Sequence, residues 1–337
     1  MNRLKLLAVI GLSLLALSAC KMNKNEAAKD PVTAVKDIAS ALRDNDFDRL
    51  SHITVSPDLY AQMETRYKEE AAKRPAPTAE QSKQFTDAIA KYTAADAEQK
   101  LFAEIQPKLA EAGPQIPMLV GMMSGMAGQS IAQSDKLSAD EKTQANAALT
   151  AIVKWATTAP LSDPEKAKQA IKVVVGTARD LKLTTLDAMQ KLSFSEFVQK
   201  YGMAFGGLRK TLAVYGFDTD KSLDSVKVEK KSEDGDNAVV TVSFTLLDAA
   251  IKADVPMVKI DGRWYSKHSI DMAKQALAKP TEAAAAPMSA APPMAASDAE
   301  PASNASSAMP APAEQSDEQP APSESTAAPA DSSNGGG

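Results

Sequence analysis

Cys20, His52 and His268 are the only cysteine and the only histidines of this 337-residue chain. A thiolate can act as a nucleophile or metal ligand, and an imidazole can act as an acid, a base or a ligand. Zinc and iron–sulfur centres need three or four such groups in one cluster. The sequence therefore predicts no catalytic residue of these types, no metal site, no cofactor and no disulfide scaffold.

Cys20 has a more specific use. It follows a short basic start and an apolar run over residues 6–17, which is too short to remain as a spanning helix. The segment Leu17-Ser18-Ala19-Cys20 resembles the lipobox of bacterial lipoproteins. This resemblance implies cleavage before Cys20 and lipidation of Cys20, and two or three acyl chains anchor a protein almost permanently.

The residue after the cysteine helps to predict which of the two membranes a Gram-negative lipoprotein is sorted to. Lys21 stands where an aspartate would favour the inner membrane in Gram-negative lipoprotein sorting. The resemblance thus implies a lipid-anchored protein of the cell envelope, at the outer membrane and facing the periplasm.

Acidic residues do not mark a catalytic or calcium site. Asp44, Asp46 and Asp48 alternate like the ligands of a calcium loop, but positions six and twelve are Arg49 and Val55 instead of Gly and Glu. A turn and helix cap explains these aspartates better. The chain also has no phosphate-binding loop and no glycine-flanked nucleophilic serine.

Residues 112–134 form an uncharged segment rich in methionine and glycine. Its notable members are Met118, Gly121, Met122, Met123, Gly125 and Met126. One interpretation is a helix that binds a partner or a membrane, because methionine makes adaptable surfaces and Gly-x-x-x-Gly permits close helix approach. A buried central packing helix explains the same pattern and is favoured, as is tight packing at Gly202-x-x-x-Gly206.

Helical periodicity dominates residues 30–216. Asp30 can cap a first helix with Pro31 at its first position. Capping boxes are predicted at Ser138/Glu141, Ser162/Glu165 and Ser193/Glu196, each before a periodic apolar stripe.

The period changes to two after Gly216. A hairpin is predicted around Asp234-Gly235-Asp236, and a further strand, 255–260, returns through Asp261-Gly262. A short helix then ends at Pro280. The predicted fold class is α+β, with a mainly helical body followed by a C-terminal antiparallel meander of about four strands and a short helix.

Composition divides the chain further. Residues 1–19 are a predicted signal peptide, 20–29 a lipidated tether, 30–280 a single folded body (30–216 helical, 217–280 sheet plus helix), and 281–337 a disordered tail rich in Ala, Pro and Ser. The tail holds eight acids and no base. Residues 20–280 hold 36 bases and 35 acids, which argues against nucleic acid as a partner.

Both ends of the body resemble a known superfamily. Asp30-Pro31-x-x-Ala34-Val35-x-x-Ile38, Asn45-Asp46-Phe47-Asp48 and the strands ending Val258-Lys259-Ile260-Asp261-Gly262-Arg263-Trp264 are similar to lipoproteins of the nuclear-transport-factor-2-like superfamily. The resemblance covers about residues 30–55 and 222–280. It implies a curved antiparallel sheet wrapped over helices around a pocket, although some 140 helical residues replace a short part of that fold.

These features predict a membrane-anchored envelope lipoprotein that acts as a non-catalytic binding or assembly module, with a protein partner or an apolar ligand. Two alternatives remain. One is a toxin-immunity lipoprotein, and the other is a pocket hydrolase or isomerase that uses an Asp, a Tyr or His268 as acid or base.

Overall fold

The computed structural model describes residues 25–135 and 137–278 of the chain, and these belong to one compact unit. The predicted signal peptide, Cys20 and the predicted tail from 281 lie outside the described residues. The helices are α1 (Pro31–Asp44), α2 (Phe47–Thr54), α3 (Pro57–Lys73), α4 (Ala79–Thr93), α5 (Ala97–Ala112), α6 (Ile116–Gln133), α7 (Ala139–Thr158), α8 (Pro164–Leu181), α9 (Leu186–Gln190), α10 (Phe194–Val214), α11 (Thr219–Asp224) and α12 (Lys267–Ala278). The strands are β1 (Lys227–Asp234), β2 (Asn237–Leu246), β3 (Ala249–Ile260) and β4 (Arg263–Ser266).

The predicted α+β class is confirmed: a mainly helical body precedes a C-terminal four-stranded antiparallel sheet and a short helix. The helices begin where side chains satisfy exposed backbone donors. Asp30 caps α1 with Pro31 in its first turn, as predicted. The capping boxes at Ser138 and Ser193 are also confirmed.

One predicted cap is wrong. Helix α8 is capped by Asp163 and not by Ser162, because the Asp163 carboxylate accepts hydrogen bonds from the backbone N–H groups of Glu165 and Lys166. Pro164, which suits the first helical position, then follows the cap directly.

The sheet has the strand order β1-β2-β3-β4. Strand β3 is longer than predicted, because it begins at Ala249 and pairs with β2 through a tight turn at Leu247 and Asp248. Leu247 has a φ of 55°, a conformation that usually requires glycine. The sequence signal for this hairpin is therefore missing, whereas Gly235 and Gly262 mark the other two turns.

Two core clusters lie against the sheet, and helix α1 contributes residues to both. On one face, Trp264, Met257 and Val240 are buried against Ala34 and Val35 of α1. On the other, a second core cluster centres on Tyr265, which packs with residues of α2, α3 and α12: Ile53, Leu59, Ile270 and Ala273. The sheet thus joins the N-terminal helices to α12.

A third cluster holds the central helices together. Ala97 and Leu101 of α5 are buried against Ile171 and Val175 of α8. Helix α8 packs in turn along α10, where Gly207 lies against Thr177.

Arg209 connects α10 to the N-terminal helices and is almost fully buried. Its guanidinium donates hydrogen bonds to the carbonyl oxygens of Leu42 and Arg43 at 2.7 and 2.9 Å. It also donates to Asn45 Oδ1 at 2.8 Å and pairs with Asp220. The last carbonyl groups of α1, which a helix cannot satisfy itself, therefore find a charged donor.

Candidate interaction surface and cleft

The uncharged helix α6 exposes a row of large apolar side chains. We define the methionine face as Met118, Leu119, Met122, Met123 and Met126, whose exposed fractions range from 46% to 69%. Single exposed apolar residues are normal on the surface of a soluble protein. A contiguous group of exposed apolar side chains, in contrast, marks an interaction site.

One side of α6 packs inward, mainly on α7. Val120, Ser124 and Ala127 are half-buried there, and a Cβ atom on Gly128 would lie 3.9 Å from Leu149 Cδ2. Lys142 of α7 donates a hydrogen bond to the Ala132 carbonyl oxygen at 2.9 Å, which satisfies the C-terminal end of α6. Within the part of the chain that the structure describes, α6 packs on one side, against α7.

The favoured interpretation of this segment as a buried packing helix is wrong. A Cβ atom at Gly121 or Gly125 would meet nothing within 4 Å, and the four methionines around these glycines are exposed. The same motif in α10 does pack tightly, as predicted, because a Cβ atom at Gly206 would lie 3.1 Å from the Asn45 side chain. The Gly-x-x-x-Gly pattern indicates that another helix can approach closely, but it does not identify which helix does so.

Within residues 25–135 and 137–278, no helix combines the length and the apolar character needed to cross a bilayer.

A second feature is an open cleft between α7, α11 and the turn that joins β2 to β3. Its volume is about 680 Å³, which lies within the usual range of small-molecule sites. Ala151, Trp155 and Leu247 contribute apolar surface, and Thr150 and Ser222 contribute hydroxyl groups. The cleft has no local sequence signal, because its walls come from separate parts of the chain, residues 147–158, 216–222 and 245–249.

Charge at the cleft is balanced. Lys154 lies 3.5 Å from Asp248 and Lys221 lies 3.6 Å from Asp218, and both lysines are largely exposed. These are loose surface ion pairs, which contribute little to stability. The cleft therefore offers both donors and acceptors without a dominant charge.

Trp155 is fixed in the cleft wall. Its indole N–H donates a hydrogen bond to the Tyr215 carbonyl oxygen at 2.8 Å, and its ring meets Phe217 edge-on at 5.0 Å. Burial raises the pKa of the nearby Tyr215 hydroxyl.

The two histidines lie apart from the cleft lining. His52 stacks on Tyr60 with ring centroids 3.9 Å apart, and burial raises the pKa of the Tyr60 hydroxyl. His268 is exposed on α12. Among the described residues, no group of three or more His, Cys, Asp or Glu side chains is arranged to hold a metal ion.

Hydrogen bonds in helix caps and in surface ion pairs explain most of the carboxyl groups whose pKa values are lowered. The backbone N–H of Ser193 and that of Ser138 lower the pKa values of Glu196 and Glu141 in their capping boxes. Lys231 lowers the pKa of Asp254 across the sheet surface. These shifts belong to helix caps and surface ion pairs, which are common outside active sites.

Comparison with known protein families, with characterised proteins and with solved structures finds no match for this chain. The features that bear on function are therefore the methionine face, the cleft and the amino-terminal sequence.

Proposed function

We propose that this protein is a lipid-anchored, non-catalytic binding module of the bacterial cell envelope, and that it docks a protein partner through the methionine face. The observation that carries the proposal is the exposure of five large apolar side chains on one uncharged helix. The partner's docking segment is an uncharged apolar helix, because a charged segment would lose its hydration against this face without finding an opposite charge.

The amino-terminal sequence supports the anchor. Ala28 is buried, its carbonyl oxygen accepts a hydrogen bond from the Trp264 backbone N–H at 2.9 Å, and Arg263 donates to the Ala27 carbonyl oxygen at 2.7 Å. These contacts fix the folded body a few residues after Cys20. The intervening chain reaches at most about 25 Å when extended, so acylation of Cys20 would hold β4 near the bilayer.

Helix α6 is connected to the sheet through α7. Helix α7, on which α6 packs, contacts β3 where Gln144 accepts a hydrogen bond from the Lys252 backbone N–H. Trp264, beside the anchor, pairs with Lys259 of the same strand. Seven residues of strand separate the two points by about 23 Å.

A photoreactive residue placed at position 122 of the full-length acylated protein, irradiated in its own membrane, tests the proposal. Met272 of α12 is a matched control, because its exposed fraction is 53% against 59% for Met122 and it does not belong to the methionine face. We expect a discrete protein adduct of fixed mass from position 122 and none from position 272.

Two results would contradict the proposal. Equal labelling from positions 122 and 272 would mean that the methionine face is ordinary surface. Adducts from position 122 with lipid alone would mean that α6 lies on the membrane and does not dock a protein.

A further inference from the structure

We infer that the partner on the methionine face is a second copy of this chain, an inference that rests on the proposed function because it names the occupant of the same face. Large and small side chains of α6 recur with the same spacing. Met118, Met122 and Met126 recur every four residues, and Gly121 and Gly125 have the same spacing. At about 100° per residue, Gly125 lies about 20° and Gly121 about 60° from Met118 around the helix.

The face is therefore complementary to itself. It carries protruding methionines and open glycine gaps along parallel rows, and a Cβ atom at either glycine would meet nothing within 4 Å. In a two-fold symmetric pair the same surface faces itself, so the methionines of each copy meet the glycine gaps of the other. Rows with a four-residue period are those that interdigitate in the commonest class of helix packing.

The absence of charged side chains on α6 also favours a second copy of this chain as the partner. Residues 112–134 contain no charged side chain, so two copies of α6 bring no like charges together. Residues 20–280 as a whole hold 36 bases and 35 acids, which leaves no net repulsion between bodies. A helix that lies in a membrane interface usually carries Lys or Arg beside its apolar face, and α6 has neither.

The proposed anchor strengthens such a pairing. Two copies attached to one membrane move in two dimensions and meet at a higher effective concentration than in free solution. A modest affinity between two uncharged helices is then sufficient for a dimer.

The stoichiometry of the full-length acylated protein, measured by native mass spectrometry from its own membrane and by light scattering, tests the inference. We expect a dimer for the wild type. Met122→Glu should raise the dimer dissociation constant at least about 100-fold, because a carboxylate would be buried without a partner. Gly125→Leu should do the same by filling the gap.

Both variants should keep their fold, because position 122 is exposed and position 125 has open space. Circular dichroism and thermal unfolding check this point. Met272→Glu is the matched control: it adds the same charge at an equally exposed methionine on α12 and should leave the dimer intact.

The outcomes separate the two proposals. A photoadduct from position 122 with twice the mass of the chain supports the second copy. A monomeric wild type, or a dimer that withstands both substitutions, overturns it. If position 122 then reacts with a different protein, the proposed function stands without the dimer, whereas adducts with lipid alone overturn both.

Discussion

A Cβ atom on Gly202 would lie 2.4 Å from the carbonyl oxygen of Asn45. Helix α10 and the turn between α1 and α2 therefore meet backbone to backbone, and Asn45 itself has a left-handed φ of 55°. Arg209 lies seven residues further along α10. Its guanidinium donates a hydrogen bond to Asn45 Oδ1, which adds a polar contact to the same junction. This junction joins the N-terminal helices to the central ones.

Gly202→Ala should consequently destabilise the protein by about 2 kcal/mol or more, because an added methyl group forces a backbone shift. Gly176→Ala in α8 is the matched control, since a Cβ atom there would meet nothing within 4 Å and alanine is the better helix former by about 1 kcal/mol. Chemical denaturation of both variants measures the difference. Equal stabilities would show that the α10 junction is looser than described.

The glycines also show how far sequence could predict this protein. Gly-x-x-x-Gly occurs in α6 and in α10 with the same local signal, yet only the copy in α10 is packed within the described chain. Periodicity and caps predicted the order of most elements, because these depend on neighbouring residues. Which surface covers α6 depends on contacts between distant residues, and no local pattern records them.

The turn at Leu247 and the cleft illustrate the same limit. Leucine at positive φ has no sequence signature, so neither the tight turn between β2 and β3 nor the cleft wall that it forms was predicted. Trp155 and Asp248 of the cleft are brought together only by the packing of α7 on β3.

Arg209→Met should cost about 3 kcal/mol of stability. The substitution keeps most of the side-chain volume but leaves the Leu42 and Arg43 carbonyl oxygens without their charged donor. Lys210→Met, at the next and exposed position, should change stability by less than about 0.5 kcal/mol. Urea denaturation distinguishes the two, and similar losses would contradict the assigned role of Arg209.

Val240→Asp should unfold most molecules at physiological temperature. Val240 is fully buried between the sheet and α1, and an unpaired carboxylate there costs several kcal/mol. Thr245→Asp, on an exposed position of the same strand, should be tolerated. Thermal unfolding followed by circular dichroism checks both, and an unchanged melting temperature for Val240→Asp would refute the inward face of β2.

Acid should weaken the helix caps at Ser193 and Ser138. The backbone N–H of each serine lowers the pKa of its partner, Glu196 or Glu141, below the usual 4.5. A carboxyl group whose pKa is lower when folded contributes stability above its unfolded pKa, and this contribution disappears as the pH falls through the folded pKa.

NMR titration of the glutamate carboxyl carbons measures this effect directly. Ser193→Ala removes the hydroxyl donor, 2.7 Å from Glu196, and should shift the pKa of Glu196 upward while Glu141 keeps its lowered value. A Glu196 carboxyl that titrates at 4.5 in the wild type would show that the capping box does not persist in solution.

Cys20→Ala should stop maturation of the protein. The predicted processing requires a thiol to receive the acyl group before cleavage, so the variant should accumulate as an unacylated precursor that retains residues 1–19. Intact-mass measurement of membrane fractions distinguishes precursor from mature chain. Ser18→Ala is the matched control, because it keeps a small residue in the segment Leu17-Ser18-Ala19-Cys20 and leaves the thiol in place. Normal cleavage and membrane attachment of Cys20→Ala would refute the lipid anchor, and position 122 would then have to be tested in solution.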